Sequence, residues 1–353
     1  MSKGDPTSPT RGDIVETIID TVDGSGERLA NDTLKRMKTA LRTHHEGSRT
    51  FEKVLRRRWG SALDMMELLI QMAHEIGDEF NSRYRPDAHH ANDYSFEVLT
   101  HLHGRGCRVS REIHALLRYG YPSGALARWR ALHEVTVVAN LIRMHGGDVA
   151  ERYLRHVDIE DSRAVVEYQK HSTKLGHSPY TELEVAQAVA RKEALLKEYG
   201  SEFGKPYGWA SDILKTSDPK FAEIEEKAGL SHMRPYYRFA SHDIHCGPMG
   251  IRRNVGMPDD SWRTLVLAGA TNLGFADPGQ LTALSLYQTT ACLVTTRNEV
   301  EFLVGIKALD VIRERTVQEF VRIQTEQERQ MKLMPTPIVH VSGRKLFKWS
   351  GQQ

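Results

Sequence analysis

Arg238, Ser241, His242 and His245 fall within eight positions of the stretch YYRFASHDIHCGPMG (236–250), bounded by Pro235 and a Gly-Pro stop at 247–248. An arginine can steady a phosphoryl oxygen, and a histidine can move a proton near neutral pH. Together they suit cleavage of a phosphodiester, with the histidine acting on a ribose 2′-hydroxyl or on the leaving oxygen. On a helix, Arg238 and His245 differ by only about 20° and by about 10.5 Å along the axis. Ser241 and His242 lie between them on the same flank, while Tyr236, Ala240 and Ile244 face away. The same Arg-x(4–6)-His spacing recurs at Arg85/His90, Arg108/His114 and Arg128/His133. The first of these sits in a proline-containing turn, and on helices the other two diverge by about 120° and 140°. Arg238/His245 is the match that makes a coherent polar stripe.

Other chemistries compete for this stretch. The Ser-His-Asp-Ile run resembles the phosphoacceptor helix of sensor kinases, but the Asn- and Gly-rich nucleotide boxes that reading needs do not follow. His242-Asp243 suits a metal phosphohydrolase, which needs a further histidine upstream and an aspartate downstream. His242 and His245 at i, i+3 lack the glutamate and the i, i+4 spacing of the familiar helical zinc pair. The expectation is a site without metal or cofactor.

A second segment carries charge where apolar side chains dominate. In GALARWRALHEVTVVANLI (124–142), one half of the helical wheel holds Leu126, Val135, Val137, Val138, Leu141 and Ile142. Arg130 and Glu134 fall inside that half, at i and i+4, where side chains meet. Charges in an apolar sector require pairing. The expectation is that both are largely buried and paired, either to fix a helix crossing or to tune a site. Arg128, His133, Thr136 and Asn140 occupy the other side.

The elements that must position these residues are helical almost throughout. Apolar residues at three- and four-residue spacing mark helices over about 51–80, 94–119, 124–145, 148–175, 182–199, 235–246, 278–304 and 307–333. Ser123 is a candidate cap, and RPDAHH (85–90) reads as a turn. An aromatic-rich connector carries Tyr199, Phe203, Tyr207 and Trp209, read as packing rather than as stacking on bases. The chain is read as all-α: disordered residues 1–12, a helical arm over 13–45 interrupted by DGSG, a bundle domain over 46–334, and a tail over 335–353 with one extended hairpin or strand. Leu309, Ile312, Phe320 and Ile323 form a coiled-coil-like stripe, which packs into its own bundle or joins two copies in a homodimer.

Composition narrows the function class. With 48 basic and 46 acidic residues the net charge is +2, which excludes a supercharged nucleic-acid binder but allows a local basic groove. Cys107, Cys246 and Cys292 are widely spaced and make neither a zinc cage nor a disulfide framework, as in a reducing compartment. No apolar run approaches the ~20 residues of a membrane span. A cytoplasmic protein without membrane contact is expected.

Two segments, Arg130-Ala-Leu-His-Glu134 after a Gly-Tyr-Pro-Ser-Gly-Ala turn and Tyr237-Arg-Phe-Ala-Ser241-His-Asp-Ile-His245, resemble the signature blocks of a family of bacterial all-helical proteins of unknown function. The resemblance covers about residues 55–305. By analogy the Arg-x(4–6)-His spacing is similar to that of HEPN-class ribonucleases, although Phe239 stands where those motifs commonly carry a polar residue. The analogy implies metal-independent RNA cleavage, in a toxin or phage-defence setting. Arg238 would hold the phosphate, His245 would move the proton, Arg130 and Glu134 would tune them, and Tyr237, Ser241 and His242 would contact substrate. The alternative is a non-catalytic helical module that binds a protein or small ligand in a groove of the bundle. Convergence of Arg238, His245 and Glu134 in a cleft distinguishes the first from the second.

Overall fold

A computed structural model describes residues 11–245, 247–258, 261–263 and 265–333. Among these residues twelve α-helices follow in order: α1 (Arg11–Ala91), α2 (Tyr94–Arg118), α3 (Pro122–His145), α4 (Gly147–Arg155), α5 (Val157–His171), α6 (Glu182–Tyr199), α7 (Ser211–Leu214), α8 (Phe221–Lys227), α9 (Arg234–Ser241), α10 (Pro248–Arg252), α11 (Ala276–Val294) and α12 (Val300–Leu333). Short 3-10 turns lie between them, and no strand occurs among the described residues. The all-α expectation holds. The expected extended tail lies outside the described residues, as do Cys246 and the first ten positions.

Contacts separate a unit ending at Arg56 from one covering Arg57–Pro337. In the larger unit, α3 packs against both α2 and α11, and α11 packs against α12. Trp129 anchors this core: its indole N–H is shared between the Leu281 carbonyl (3.1 Å) and Ser285 Oγ (3.0 Å). The Thr136 and Thr289 hydroxyls lie 3.0 Å apart between α3 and α11. Side chain-to-backbone bonds of this kind satisfy buried polar groups without opening the helices. Gly77 lets α2 approach closely, because a Cβ there would come within 2.1 Å of the His103 ring. Leu309, Phe320 and Ile323 of α12 are buried within this unit, so that stripe serves its own bundle.

Several boundaries differ from the sequence expectation. The DGSG segment does not interrupt α1, since two glycines at about 1 kcal/mol each do not break so long a helix. RPDAHH is not a turn either. Pro86 lies inside α1, which ends where Asn92 turns left-handed (φ 50°) and the Asp93 carboxylate accepts from Phe96 N (2.9 Å) to cap α2. Ser123 is not a cap: Pro122 opens α3, and the Ser123 hydroxyl donates to Asn254 Oδ1 at 2.7 Å. The expected helix over 148–175 divides at His156. Its buried imidazole reaches the carbonyls of Phe203 and Lys205 at 3.1 and 3.0 Å.

Candidate functional site

The polar residues that converge belong to α3 and α9. Arg130 Nη1 lies 2.9 Å from Glu134 Oε1, and the Tyr237 hydroxyl donates to the same Oε1 at 2.7 Å. Arg130 Nε donates to Ser241 Oγ (3.1 Å), and that hydroxyl in turn donates to the Tyr237 carbonyl (2.8 Å). The guanidinium stacks 4.4 Å above the Tyr237 ring, a cation–π contact. Burial, then the bond to Glu134, pushes the Tyr237 phenol well above its ordinary range, so it stays a donor. Arg130, Glu134, Tyr237 and Ser241 thus form one network.

One part of the expectation needs correcting. Arg130 and Glu134 are paired but only half-buried, their side chains keeping 23% and 34% of their exposure. Their half of the α3 wheel faces α9 and a cavity. The opposite side, which the wheel marked as polar, carries the buried Trp129, His133 and Thr136.

The buried charge sits beside this network, in residues that the sequence reading missed. His133 Nε2 meets Glu225 Oε1 at 2.7 Å, with both side chains almost wholly enclosed. Arg234 Nε stands 2.8 Å from Glu225 Oε2, a close charge contact without hydrogen-bond alignment. The Tyr237 ring joins the two clusters, with the His133 ring at 5.6 Å and the Arg234 guanidinium at 5.6 Å. A signal for Glu225 existed in the sequence. Phe221, Ile224, Glu225 and Ala228 follow the i, i+3, i+4, i+7 pattern of one buried helix face.

The remaining residues of the opening stretch lie outside this network. α9 ends at Ser241, and 242–245 continue as turns, so the helical register that aligned Arg238 with His245 is lost after Ser241. Arg238 and His245 are exposed, and neither side chain makes a hydrogen bond or ion pair among the described residues. His242 is half-buried. Its neighbour Asp243 has its carboxyl pushed up to about 6 by burial, against a smaller opposing effect of His242. No group of three or more His, Cys, Asp or Glu side chains among the described residues is placed to hold a metal ion. Burial pushes the thiols of Cys107 and Cys292 up to about 12.

Glu134 also lines a cavity of about 640 Å³ between α2, α3, α4, α5, α8 and the connector. Tyr153, Tyr207, Trp209 and Phe221 supply aromatic wall, while Arg105, Glu160 and Arg163 supply charge. The connector aromatics divide. Tyr199 and Phe203 stack at 4.7 Å under Arg152, whereas Tyr207 and Trp209 face the cavity. The hydroxyls of Tyr153 and Tyr207 have no hydrogen-bond partner among the described residues, and burial raises both phenols above their usual range.

Fold and site together define an all-helical protein whose polar cluster opens on an aromatic-lined cavity. Residues 96–261 match the model of a family described as a family of unknown function, DUF5677. That span holds both signature segments and is narrower than the 55–305 suggested by resemblance. No curated protein and no solved structure matches the chain. Among the described residues, no helix is long and apolar enough to cross a membrane.

Proposed function

We propose that this chain is a ligand-binding helical module whose cavity takes a small organic ammonium compound, anchored on Glu134. The observation that carries this reading is the state of one carboxylate. Oε1 of Glu134 is held by both Arg130 and Tyr237, while Oε2 has no hydrogen bond among the described residues. An ionised carboxylate only accepts, so this oxygen, open to water, can take a ligand's donor in its place. The surrounding aromatic faces favour a cation, and the volume lies in the range of small-molecule sites. Arg163 is already engaged by Glu160 (3.2 Å) and by the Gly204 carbonyl, which leaves Arg105 to receive the acidic group of a zwitterion.

Calorimetric titration of the purified chain with choline, glycine betaine, putrescine and free amino acids tests this. At least one probe is expected to bind, and Glu134→Gln should weaken it tenfold or more. Binding by none of these probes, or equal binding by Glu134→Gln, overturns the reading.

RNA cleavage remains the second reading, supported by Asp243. A carboxyl whose pKa burial raises to about 6, in the same short segment as the exposed Arg238 and His245, could trade protons with a phosphodiester. Cleavage of RNA in excess chelator, reduced by roughly 10²–10⁴ in His245→Ala and in Asp243→Asn, is the expected result. Absence of cleavage removes this reading. Loss in EDTA with recovery on zinc or manganese would transfer the role to a His242–Asp243 metal site.

A further inference from the structure

We infer that the first part of α1, residues 14–42, pairs antiparallel with the same segment of a second copy of this chain. Ile14, Val15, Ile18, Ile19, Val22, Leu29, Leu34, Met37 and Leu41 are between 39% and 62% exposed, a large apolar area for a helix open to water. From Val15 to Leu41, these exposed residues (Ile14 lies at the margin) occupy one continuous band of about 160° on the helical wheel. A band of this kind is covered in water by another helix or by a membrane surface.

The charges decide what covers it and in which direction. Residues 14–27 carry Glu16, Asp20, Asp23 and Glu27 and no base, whereas 29–42 carry Lys35, Arg36, Lys38 and Arg42 against Asp32 alone. Asp32 is already 3.5 Å from Lys35 on its own helix. Arg28, at the centre, projects away from the apolar band. A parallel pair would set acid against acid and base against base; an antiparallel pair sets every acidic half against a basic half. An acidic leading half also argues against an anionic membrane as the cover.

One register satisfies both patterns. With Val15 opposite the partner's Leu41, Ile19 meets the partner's Met37 and Val22 meets the partner's Leu34. The acidic stretch 16–23 then runs beside the partner's basic stretch 35–42, with Asp20 and the partner's Lys38 on the same flank about 3 Å apart along the axis, and Leu29 lies near the two-fold axis beside the partner's Leu29. The overlap runs about 43 Å, some eight turns, long enough for a stable helix pair. Gly26 falls close to the centre and within the band, where a Cβ would meet open space and the backbones can approach.

Sedimentation equilibrium of the full chain at low micromolar concentration tests the inference. A dimer of twice 40.1 kDa is expected. Lys35→Glu/Lys38→Glu/Arg42→Glu should weaken the dimer at least tenfold, and so should Glu16→Lys/Asp20→Lys/Asp23→Lys. All six changes in one chain restore complementarity and should restore the dimer. Circular dichroism confirms that each variant keeps its helix content; if a triple variant loses it, the six-fold variant alone decides. A monomeric wild-type chain, including one that instead sediments with phosphatidylserine vesicles, overturns the inference. So does a dimer that survives both triple reversals.

Discussion

Replacing Glu225 with alanine is expected to cost about 3–5 kcal/mol of stability, because it strands His133 and Arg234 beside an empty buried site. Glu225 has no exposure in its side chain, His133 has 2%, and their bond is 2.7 Å long. Removing the carboxylate leaves a buried imidazole without its partner and takes the counter-charge from the partly exposed Arg234 guanidinium, and it also opens a cavity beside Phe221 and Tyr237. In a unit of this size, such a loss corresponds to a fall in Tm on the order of 10 °C. Glu134→Ala serves as the contrast. Its pair with Arg130 is half-open to water, so about 1 kcal/mol is expected. Urea denaturation of the two variants and of His133→Ala, with the His133→Ala/Glu225→Ala double variant completing a cycle, measures the difference. A Glu225→Ala protein melting within a degree or two of wild type would refute the buried-pair account.

That contrast also shows where sequence reasoning stopped. The helical wheel located Arg130 and Glu134 as an unusual i, i+4 pair, and the family resemblance coupled them to the segment holding Tyr237 and Ser241. Those four residues do meet, because local spacing on two helices determines most of their geometry. The wheel could not tell which half of α3 faces the core, since α3 is enclosed on nearly all sides by α2, α11, α8 and α9. A helix buried all round has no polar side to read. His133 was therefore assigned to the wrong environment. Its partner Glu225 lies 92 residues away on the seven-residue helix α8, which no local pattern ties to α3.

Helix ends followed the same division. The start of α2 is legible because Asp93 is a strong capping residue three positions before Phe96. The break between α4 and α5 carries no breaker in the sequence; it depends on His156 reaching the carbonyls of Phe203 and Lys205. The end of α9 at Ser241 separates Arg238 from the register of His245. Four residues of missing helix are enough to dissolve a facing argument built on seven.

The second large effect concerns acid. His103 is fully enclosed between α1, α2 and α11, with Nε2 at 3.2 Å from Thr290 Oγ1 and the Cys107 sulfur at 3.6 Å. Burial, reinforced by the nearby His74 and only partly offset by the Ala73 backbone, pushes its pKa down to about 4. The unfolded chain binds this proton at about 6.5, so between pH 6.5 and 4 the unfolded state holds more protons and gains stability. The contribution of neutral His103 is complete above pH 6.5 and is lost as pH falls toward 4. At pH 4.5 the linkage corresponds to roughly 2–3 kcal/mol. Burial shifts His114 and His156 in the same direction, so they add to the loss. Asp243 and Asp277 act in the opposite sense: burial raises their pKa values, so protonation in acid favours the folded state and offsets part of the loss. The variant that isolates His103 is His103→Gln, which cannot take up the proton yet can still bond Thr290. Urea denaturation at pH 7 and at pH 4.5 should show wild type losing roughly 2–3 kcal/mol more than His103→Gln over that interval, whatever the variant costs at pH 7. Equal losses in the two proteins would mean that the His103 ring is protonated in the folded chain, or that its site opens to water before it titrates.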